Sequence, residues 1–178
     1  MRQEADRQRP RRAWLGRHAS KALWCVLGAG LGWIALSLHA QHERDDLERM
    51  RYASVRQVRF EGAPGGQGTT SDLRVSVALN RLQRRRGLMN RLFLGPDRGM
   101  LFVFMRPRKV CFWMHNTILP LSLAFVDVKG RMSSIVDMAP MTDALHCAPG
   151  AVRYGVEANK GWFASHGVHV GDMVRPLS

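Results

Sequence analysis

Three short segments decide the fold of this chain: RGLMNRL at residues 86–92, GMLFVF at residues 99–104 and FWMHNTILPLSLAFVD at residues 112–127. The middle segment is continuously apolar, which is typical of a strand that is buried on both faces. In the last segment, the polar residues His115, Asn116 and Thr117 interrupt a run that is otherwise nearly all apolar. So many large apolar residues, broken only by short polar stretches, indicate a small β-rich core.

Alternating apolar residues around these segments predict several more short strands. Residues 73–79 carry an apolar side chain at every second position, which is the two-residue period of a half-buried strand. Lys129 and Gly130 form a predicted turn between two of the strands. Strands are predicted at residues 73–79, 100–105, 110–114, 123–128, 132–138, 152–156 and 173–175.

Two short helices are predicted between the strands. Asn80, with a glutamine three residues later, resembles a capping box, so we expect a helix over residues 81–91. Asn159 is expected to cap a second helix that runs to His166, where Gly167 ends it. Many short strands with two helical insertions favour a mainly β fold, either a compact jelly-roll-like sandwich or a partly closed barrel.

An N-terminal apolar segment is predicted to place the β domain outside the cytoplasm. Residues 1–21 form a basic region, and residues 22–38 carry no charged side chain. Because a basic flank stays cytoplasmic, we expect a transmembrane or signal helix at residues 22–40, either retained as an inner-membrane anchor or, as the second choice, cleaved. Residues 41–71 are predicted to form a stalk and a glycine-rich linker, and residues 72–178 a β domain that faces the periplasm.

The net charge of the chain is +13, almost all of it from arginine. Since the basic residues outside the N-terminal region are spread along the chain, they are best explained as a solvated surface. Attraction to an anionic lipid or glycan is the alternative, and nucleic acid is not an expected partner. An oxidising periplasm permits a disulfide between Cys111 and Cys147, but their spacing in sequence does not decide whether they meet.

Several motifs of the chain resemble the motifs of one known family. Residues 86–91 resemble its GLM box, residues 99–104 its central strand, and residues 112–121 its signature of Phe-Trp-Met, Asn-Thr and Pro-Leu. Residues 157–161 resemble its Glu-x-Asn-x-Gly motif, and Gly171-Asp172 its closing Gly-Asp. Over roughly residues 72–175, the chain is therefore similar to the domain of unknown function 192 family.

The resemblance implies a mainly β, jelly-roll-like fold. The chain departs from the family pattern at two positions. His115 stands where the family usually has lysine, and Ser122 stands where it usually has aspartate. A family activity that rests on that ammonium or carboxylate group would lack it here.

The expected ligand-binding residues are Arg86, Asn116, Thr117, Glu157 and Asn159. Polar groups in apolar strands must find partners or face a cavity, because leaving one unpaired costs roughly 1–3 kcal/mol. Asn116 and Thr117 either form a turn or line a pocket. Glu157 either pairs with an arginine such as Arg86 or Arg153, accepts hydrogen bonds at the N-terminus of the following helix, or acts as a general base or ligand-binding carboxylate. We expect Arg86 to hold Glu157 ionised through a two-pronged hydrogen bond.

These residues lead to one main hypothesis and two alternatives. The main hypothesis is a membrane-tethered periplasmic domain that binds a small polar ligand or a cell-envelope component and is not a catalyst. The first alternative is an envelope hydrolase that acts on a glycan, with Glu157 as the acid or base. The second is a structural partner module that uses Trp113 and Trp162. No catalytic set, metal site or cofactor is predicted, and Phe102 and Trp113 are expected to be almost fully buried.

Overall fold

The structure, a computed structural model, describes residues 34, 36–42, 52–63 and 70–178. The chain divides into two compact units, residues 1–44 and residues 45–178. The described residues of the first unit are helical. Within the described parts of the chain, none of the helices is both long and apolar enough to cross a membrane. Most of the predicted anchor at residues 22–40 lies outside the described residues.

From residue 57 onward, the described part of the second unit consists of short strands and two short helices. The strands are β1 (Gln57–Glu61), β2 (Thr70–Ala78), β3 (Arg98–Arg108), β4 (Cys111–Phe112), β5 (Leu121–Val126), β6 (Met132–Met138), β7 (His146–Cys147), β8 (Val152–Asn159) and β9 (Met173–Leu177). The helices are α1 (Arg81–Arg86) and α2 (Trp162–Ser165). Seven strands form one sheet in the order β6-β5-β8-β3-β2-β1-β9, and β4 pairs with β7. β2 and β3 run parallel, and the other paired strands are antiparallel.

The seven-stranded sheet curls until its two edges approach each other. The backbone N–H of Val174 donates to the carbonyl of Gly130 at 2.7 Å, and that of Met132 donates to the carbonyl of Asp172 at 2.9 Å. Edge strands with unpaired backbone groups are prone to pair with other chains, so these contacts protect both edges. The prediction of a mainly β fold with few short helices is confirmed, in the form of a curled half-barrel.

Apolar side chains cover both faces of the sheet. One cluster, on the concave side of the strands, includes Phe60, Leu101, Val156 and Trp162. A second cluster covers the opposite face, because the neighbouring positions along each strand point the other way. It includes Leu88, Phe102, Phe112, Met114, Leu123 and Phe125. Thus the central strands β3, β5 and β8 are buried on both faces, as the continuous apolar run in the sequence predicts.

A disulfide fastens the short β4–β7 ladder. Cys111 and Cys147 face each other in the ladder, and their Cα atoms are 3.9 Å apart. Phe112 follows directly and reaches over the sheet to Gly155, where an added Cβ would lie 2.7 Å from the Phe112 ring. The disulfide that the sequence alone could not decide is therefore formed. It fixes β4, in which the next residue, Phe112, packs on the core.

Two predicted boundaries are wrong. Gln57–Glu61 lies inside the predicted stalk and linker, yet it forms β1 and pairs with both β2 and β9. The β domain therefore begins before residue 72. The first helix has the predicted capping box on Asn80 but ends at Arg86, because Gly87 leaves the helical conformation with a φ of +48°.

Two other predictions about single residues are also wrong. The residue that caps α2 is Gly161 and not Asn159, and it makes no side-chain capping bond. Trp113 is 41% exposed, whereas Phe102 is 2% exposed, as predicted. Trp113 follows the end of β4, where the chain leaves the ladder and enters a loop, so its ring is only partly covered.

Candidate functional site

A pocket of about 570 Å³ opens on the face of the sheet beside α1 and β4. This volume lies within the range that small-molecule sites usually have. Part of its wall is apolar, formed by the side chains of Leu88, Met89, Phe102, Phe104, Val110, Phe112 and Trp113. The basic residues that line the pocket are Arg81, Arg84, Arg85, Arg86, Arg108 and Lys109. The pocket therefore has an apolar wall and a basic rim.

α1 places four of these arginines at the pocket because its start is fixed. The Asn80 side chain accepts from the backbone N–H of Gln83, and the Gln83 side chain accepts from that of Asn80. Arg84 then turns inward and donates to the carbonyls of Leu79 at 2.5 Å and Val103 at 3.1 Å. Its guanidinium also lies 5.5 Å from the centre of the Phe104 ring. Arg84 is therefore a fixed part of the wall.

The other three arginines of α1 are exposed at the rim of the pocket. The side chains of Arg81, Arg85 and Arg86 form no hydrogen bond or ion pair with any residue that the structure describes. Arg81 and Arg85 are four residues apart and so lie on one face of the helix. These guanidinium groups are available to a ligand.

Glu157 lies at the floor of the pocket. It is in β8, the strand between β3 and β5, where it stands opposite Met100 and Leu123. The side chain is 4% exposed and has no hydrogen-bond or ion-pair partner among the described residues. Burial raises the pKa of Glu157 from 4.5 to about 8, because the low-polarity surroundings disfavour the carboxylate. At neutral pH the group therefore carries a proton, and it can both donate and accept a hydrogen bond.

The structure brings three of the five predicted site residues together. Arg86, Thr117 and Glu157 line the pocket. Thr117 is buried, and its hydroxyl donates to the carbonyl of His115 at 3.2 Å. Thr117 and Glu157 are far apart in sequence but close in space. Thr117 precedes β5, and β5 pairs with β8, the strand that contains Glu157.

Asn116 and Asn159 are not among the pocket-lining residues. Asn116 is exposed in a left-handed turn with a φ of +52°, and its carbonyl accepts from the N–H of Asn90 at 2.8 Å. The Asn159 amide donates to the carbonyls of Gly95 at 2.9 Å and Leu94 at 3.3 Å. Both asparagines hold loops in place, so their prediction as pocket residues is not supported by this geometry.

The expected hydrogen bond between Arg86 and Glu157 is wrong. Neither side chain has an ion-pair partner in the described part of the chain, and the raised pKa of Glu157 means that the carboxyl is not held ionised. The physical reason is position, since Arg86 is exposed at the end of α1 while Glu157 is buried in the sheet. Arg153 is not the partner either, because its guanidinium donates to the carbonyl of Met105.

The two departures from the family pattern lie outside the pocket lining. The Nδ1 atom of His115 is 2.8 Å from Oδ1 of Asp143, at the surface. The buried hydroxyl of Ser122 donates to Oδ1 of Asp137 at 2.5 Å and accepts from the N–H of Gly161 at 2.8 Å. Both side chains tie together neighbouring segments of the chain.

The basic rim is the part of the site that the sequence prediction missed. The sequence predicts only that the basic residues spread along the chain form a solvated surface, and these include Arg81, Arg85, Arg108 and Lys109. A signal existed in the run Arg84-Arg85-Arg86, which directly precedes Gly87 and follows a capping box. That run predicts several arginines on one short helix, but not the pocket beneath it.

Comparison with known proteins agrees with this architecture. The sequence profile of the DUF192 family, described as "Uncharacterized ACR", matches residues 64–176. The chain belongs to the DUF192 family. The match covers every strand from β2 to β8 and most of β9, and with them all of the pocket residues. No curated protein matches the chain significantly.

Solved structures also resemble this DUF192 protein. One is from Sinorhizobium meliloti 1021 and is described as a "putative transcription regulator". It is 37% identical over 67% of this chain and 92% of its own, with a TM-score of 0.64. Another, of unknown function, is from Novosphingobium aromaticivorans DSM 12444. It is 30% identical over 68% of this chain and 84% of its own, with a TM-score of 0.63.

Proposed function

We propose that the domain binds a small polar ligand that carries a negative charge, and that the pocket is the binding site. The observation that carries this proposal is the combination of exposed guanidinium groups at the rim with a protonated, unpartnered Glu157 at the floor. Guanidinium groups bind carboxylates and phosphates with two parallel hydrogen bonds. A neutral carboxyl group suits a hydroxyl or amide of the ligand. The apolar wall would exclude water between these two contacts.

The hydrolase alternative draws support from one property of Glu157. A carboxyl group with a pKa of about 8 still carries its proton at neutral pH, as a general acid must. A glycosidase also needs a second carboxylate within about 5–9.5 Å of the first. Among the described residues that line the pocket, Glu157 is the one acidic side chain. We therefore favour binding over hydrolysis.

Only one of the two tryptophans that the partner-module alternative requires is accessible to another protein. Trp162 is buried in the core, and its indole N–H donates to Oδ1 of Asp97 at 3.1 Å. Trp113 alone is exposed enough to meet another protein. Its ring also lines the pocket, which a small ligand would use directly.

We also propose that the domain faces the periplasm and is tethered to the inner membrane through residues 22–40. The basic residues before this segment support the orientation. The Cys111–Cys147 disulfide supports the compartment, because disulfides persist in oxidising surroundings. A cleaved, free periplasmic form is the second choice.

Isothermal titration of the full chain in detergent tests the binding proposal. Glucuronate and glucose are suitable probes because they share ring hydroxyls and differ in one carboxylate. We expect glucuronate to bind and glucose to bind at least tenfold more weakly. The double variant Arg85→Gln/Arg86→Gln should lose the difference between the probes. Arg91→Gln is the matched control, since Arg91 is exposed nearby but does not line the pocket.

Three outcomes would overturn the proposal or change its class. If glucuronate and glucose bind equally well, or if neither binds, the rim arginines do not recognise the carboxylate of the probe. Equal loss with Arg91→Gln and with the double variant means that diffuse surface charge attracts the probe. Release of glucuronic acid from a glucuronide, lost with Glu157→Gln, establishes the hydrolase instead.

A further inference from the structure

We propose that the end of the domain that surrounds the pocket mouth docks onto a bilayer containing anionic lipid. Three loops form this end, at residues 87–97, 113–120 and 139–145. We call it the three-loop surface. Large apolar side chains on it are between 41% and 84% exposed, namely those of Leu92, Phe93, Trp113, Ile118, Met141 and Leu145.

Backbone hydrogen bonds join the three loops into one continuous surface. The N–H of Asn90 donates to the carbonyl of Asn116 at 2.8 Å, which joins the first loop to the second. The N–H of Met141 donates to the carbonyl of Thr117 at 2.9 Å, and that of Met114 donates to the carbonyl of Thr142 at 3.0 Å. The three loops that carry the exposed apolar residues are therefore adjacent at one end of the domain.

The exposed apolar residues are concentrated at this end of the domain. Within the described part of the second unit, the other large exposed apolar residues are Leu82 on α1, Val128 in the β5–β6 turn and Val170 before β9. Single exposed apolar residues are ordinary on protein surfaces, whereas a contiguous patch marks an interaction site. Val128 and Val170 serve as internal controls, because they lie on loops outside the three-loop surface.

Charge favours a lipid surface as the occupant. Arg85, Arg86 and Arg91 lie on α1 and the first loop, and Arg108 and Lys109 lie where β3 ends and the chain turns into β4. The three loops contain two acidic residues: Asp143 lies 2.8 Å from Nδ1 of His115, and Asp97 accepts from the indole N–H of Trp162 at 3.1 Å. Apolar side chains that insert at the interface, surrounded by arginines that meet lipid phosphates, are the two components of interfacial membrane binding. The proposal does not depend on the ligand of the pocket.

Spin labels on the full chain can test this docking. The protein would carry Cys25→Ser, since Cys111 and Cys147 are bonded to each other and unavailable to the label. A nitroxide would be placed at Leu92→Cys or, as matched controls, at Val128→Cys or Val170→Cys. Each variant would be reconstituted into bilayers of phosphatidylcholine, with or without phosphatidylglycerol. Accessibility to oxygen, which enriches in the bilayer, is compared with accessibility to a water-soluble nickel chelate.

We expect the label at position 92 to become more accessible to oxygen than to nickel when phosphatidylglycerol is present. The labels at positions 128 and 170 should stay accessible to nickel, and Arg91→Glu should reduce the change at position 92. High salt should also reduce it, because salt screens attraction to the lipid.

Four results would overturn the docking. The first is a label at position 92 that stays as accessible to nickel as the controls. The second is an equal change at all three positions, since tethering alone would produce it. The third is a change that does not need phosphatidylglycerol. The fourth is dipolar broadening between labels at position 92, which would assign the surface to a second copy of this chain.

Discussion

At the scale of single residues, Glu157 is the most unusual group in the domain. Its neighbours in the adjacent strands are Met100 and Leu123, and no polar partner among the described residues offsets its burial. A carboxyl group in such a place lowers stability once it ionises, because the charge loses its hydration. A side chain with this cost and no structural partner is a good candidate for a ligand contact.

We expect stability to fall as pH rises from about 4.5 to about 8, because of Glu157. In that window the unfolded chain releases the proton while the folded protein keeps it, so the unfolded state is favoured as pH increases. Glu157→Gln removes this dependence. The variant should match the wild type below pH 4.5 and melt higher above pH 8, by on the order of a few kcal/mol in unfolding free energy. Thermal melts across this range measure the difference, and parallel curves for both proteins would contradict the raised pKa.

Phe102 and Trp113 should differ sharply when each is replaced by alanine. Phe102 is buried and contacts Phe112 edge-to-face at 4.9 Å between ring centres, so Phe102→Ala should cost roughly 3–5 kcal/mol. Trp113 is partly exposed and stacks on His115, so Trp113→Ala should cost about 1 kcal/mol. Urea denaturation of the two variants is the measurement. Equal losses would mean that Trp113 is buried, as the sequence alone predicts.

At the scale of the strands, the pocket floor depends on how closely β3 approaches β8. Gly99 is the second residue of β3 and lies against the backbone of Glu157 in β8. A Cβ added at Gly99 would lie 2.2 Å from the Glu157 carbonyl oxygen and 2.7 Å from a methyl group of Leu73. No side chain fits there, so the glycine allows the two strands to hold Glu157 at the base of the pocket.

Gly99→Ala should therefore separate β3 from β8. We expect a loss of about 1–3 kcal/mol in stability and weaker glucuronate binding, because the Glu157 backbone must move. Gly150→Ala is the control, since an added Cβ there meets nothing within 4 Å. Urea denaturation and titration calorimetry measure the two effects. A Gly99→Ala protein as stable as Gly150→Ala would show that the strands can adjust without cost.

At the scale of the whole molecule, two features act together. The curled sheet gives a rigid frame that is closed at its edges, and the loops at one end carry both the pocket mouth and the exposed apolar residues. In a tethered protein, the same end could meet lipid and a ligand that arrives from the membrane surface. The proposed anchor and the proposed docking contribute separately to membrane association, and each can be removed without the other.

Alkaline phosphatase fused after residue 178 should be active, whereas β-galactosidase at the same position should be inactive. The reason is that the basic residues before residue 22 keep the N-terminus in the cytoplasm. The protein should also stay with the membrane fraction after a high-salt wash. Deleting residues 22–38 should abolish phosphatase activity. Activity from β-galactosidase alone would place the domain in the cytoplasm and remove the basis for the tether.

The sequence by itself determined the mainly β class, the buried central strands, the capping box on Asn80 and the family. These features depend on local patterns, since a strand shows its period over a few residues and a capping box spans four. The departures at His115 and Ser122 are also visible without a structure. What they contact is not, because Asp143 and Asp137 lie on other segments.

Only the tertiary structure decided the site. The pocket exists because α1, β3, β4 and β8 converge, and no local pattern records how far apart segments pack. The same convergence places the Arg85 and Arg86 side chains at the rim, brings the Asn116 carbonyl and the Asn159 side chain into loop contacts, and joins Cys111 to Cys147. The pKa of Glu157 also depends on burial by distant strands. Long-range packing sets each of these properties, so the sequence could name candidate residues but could not assemble them.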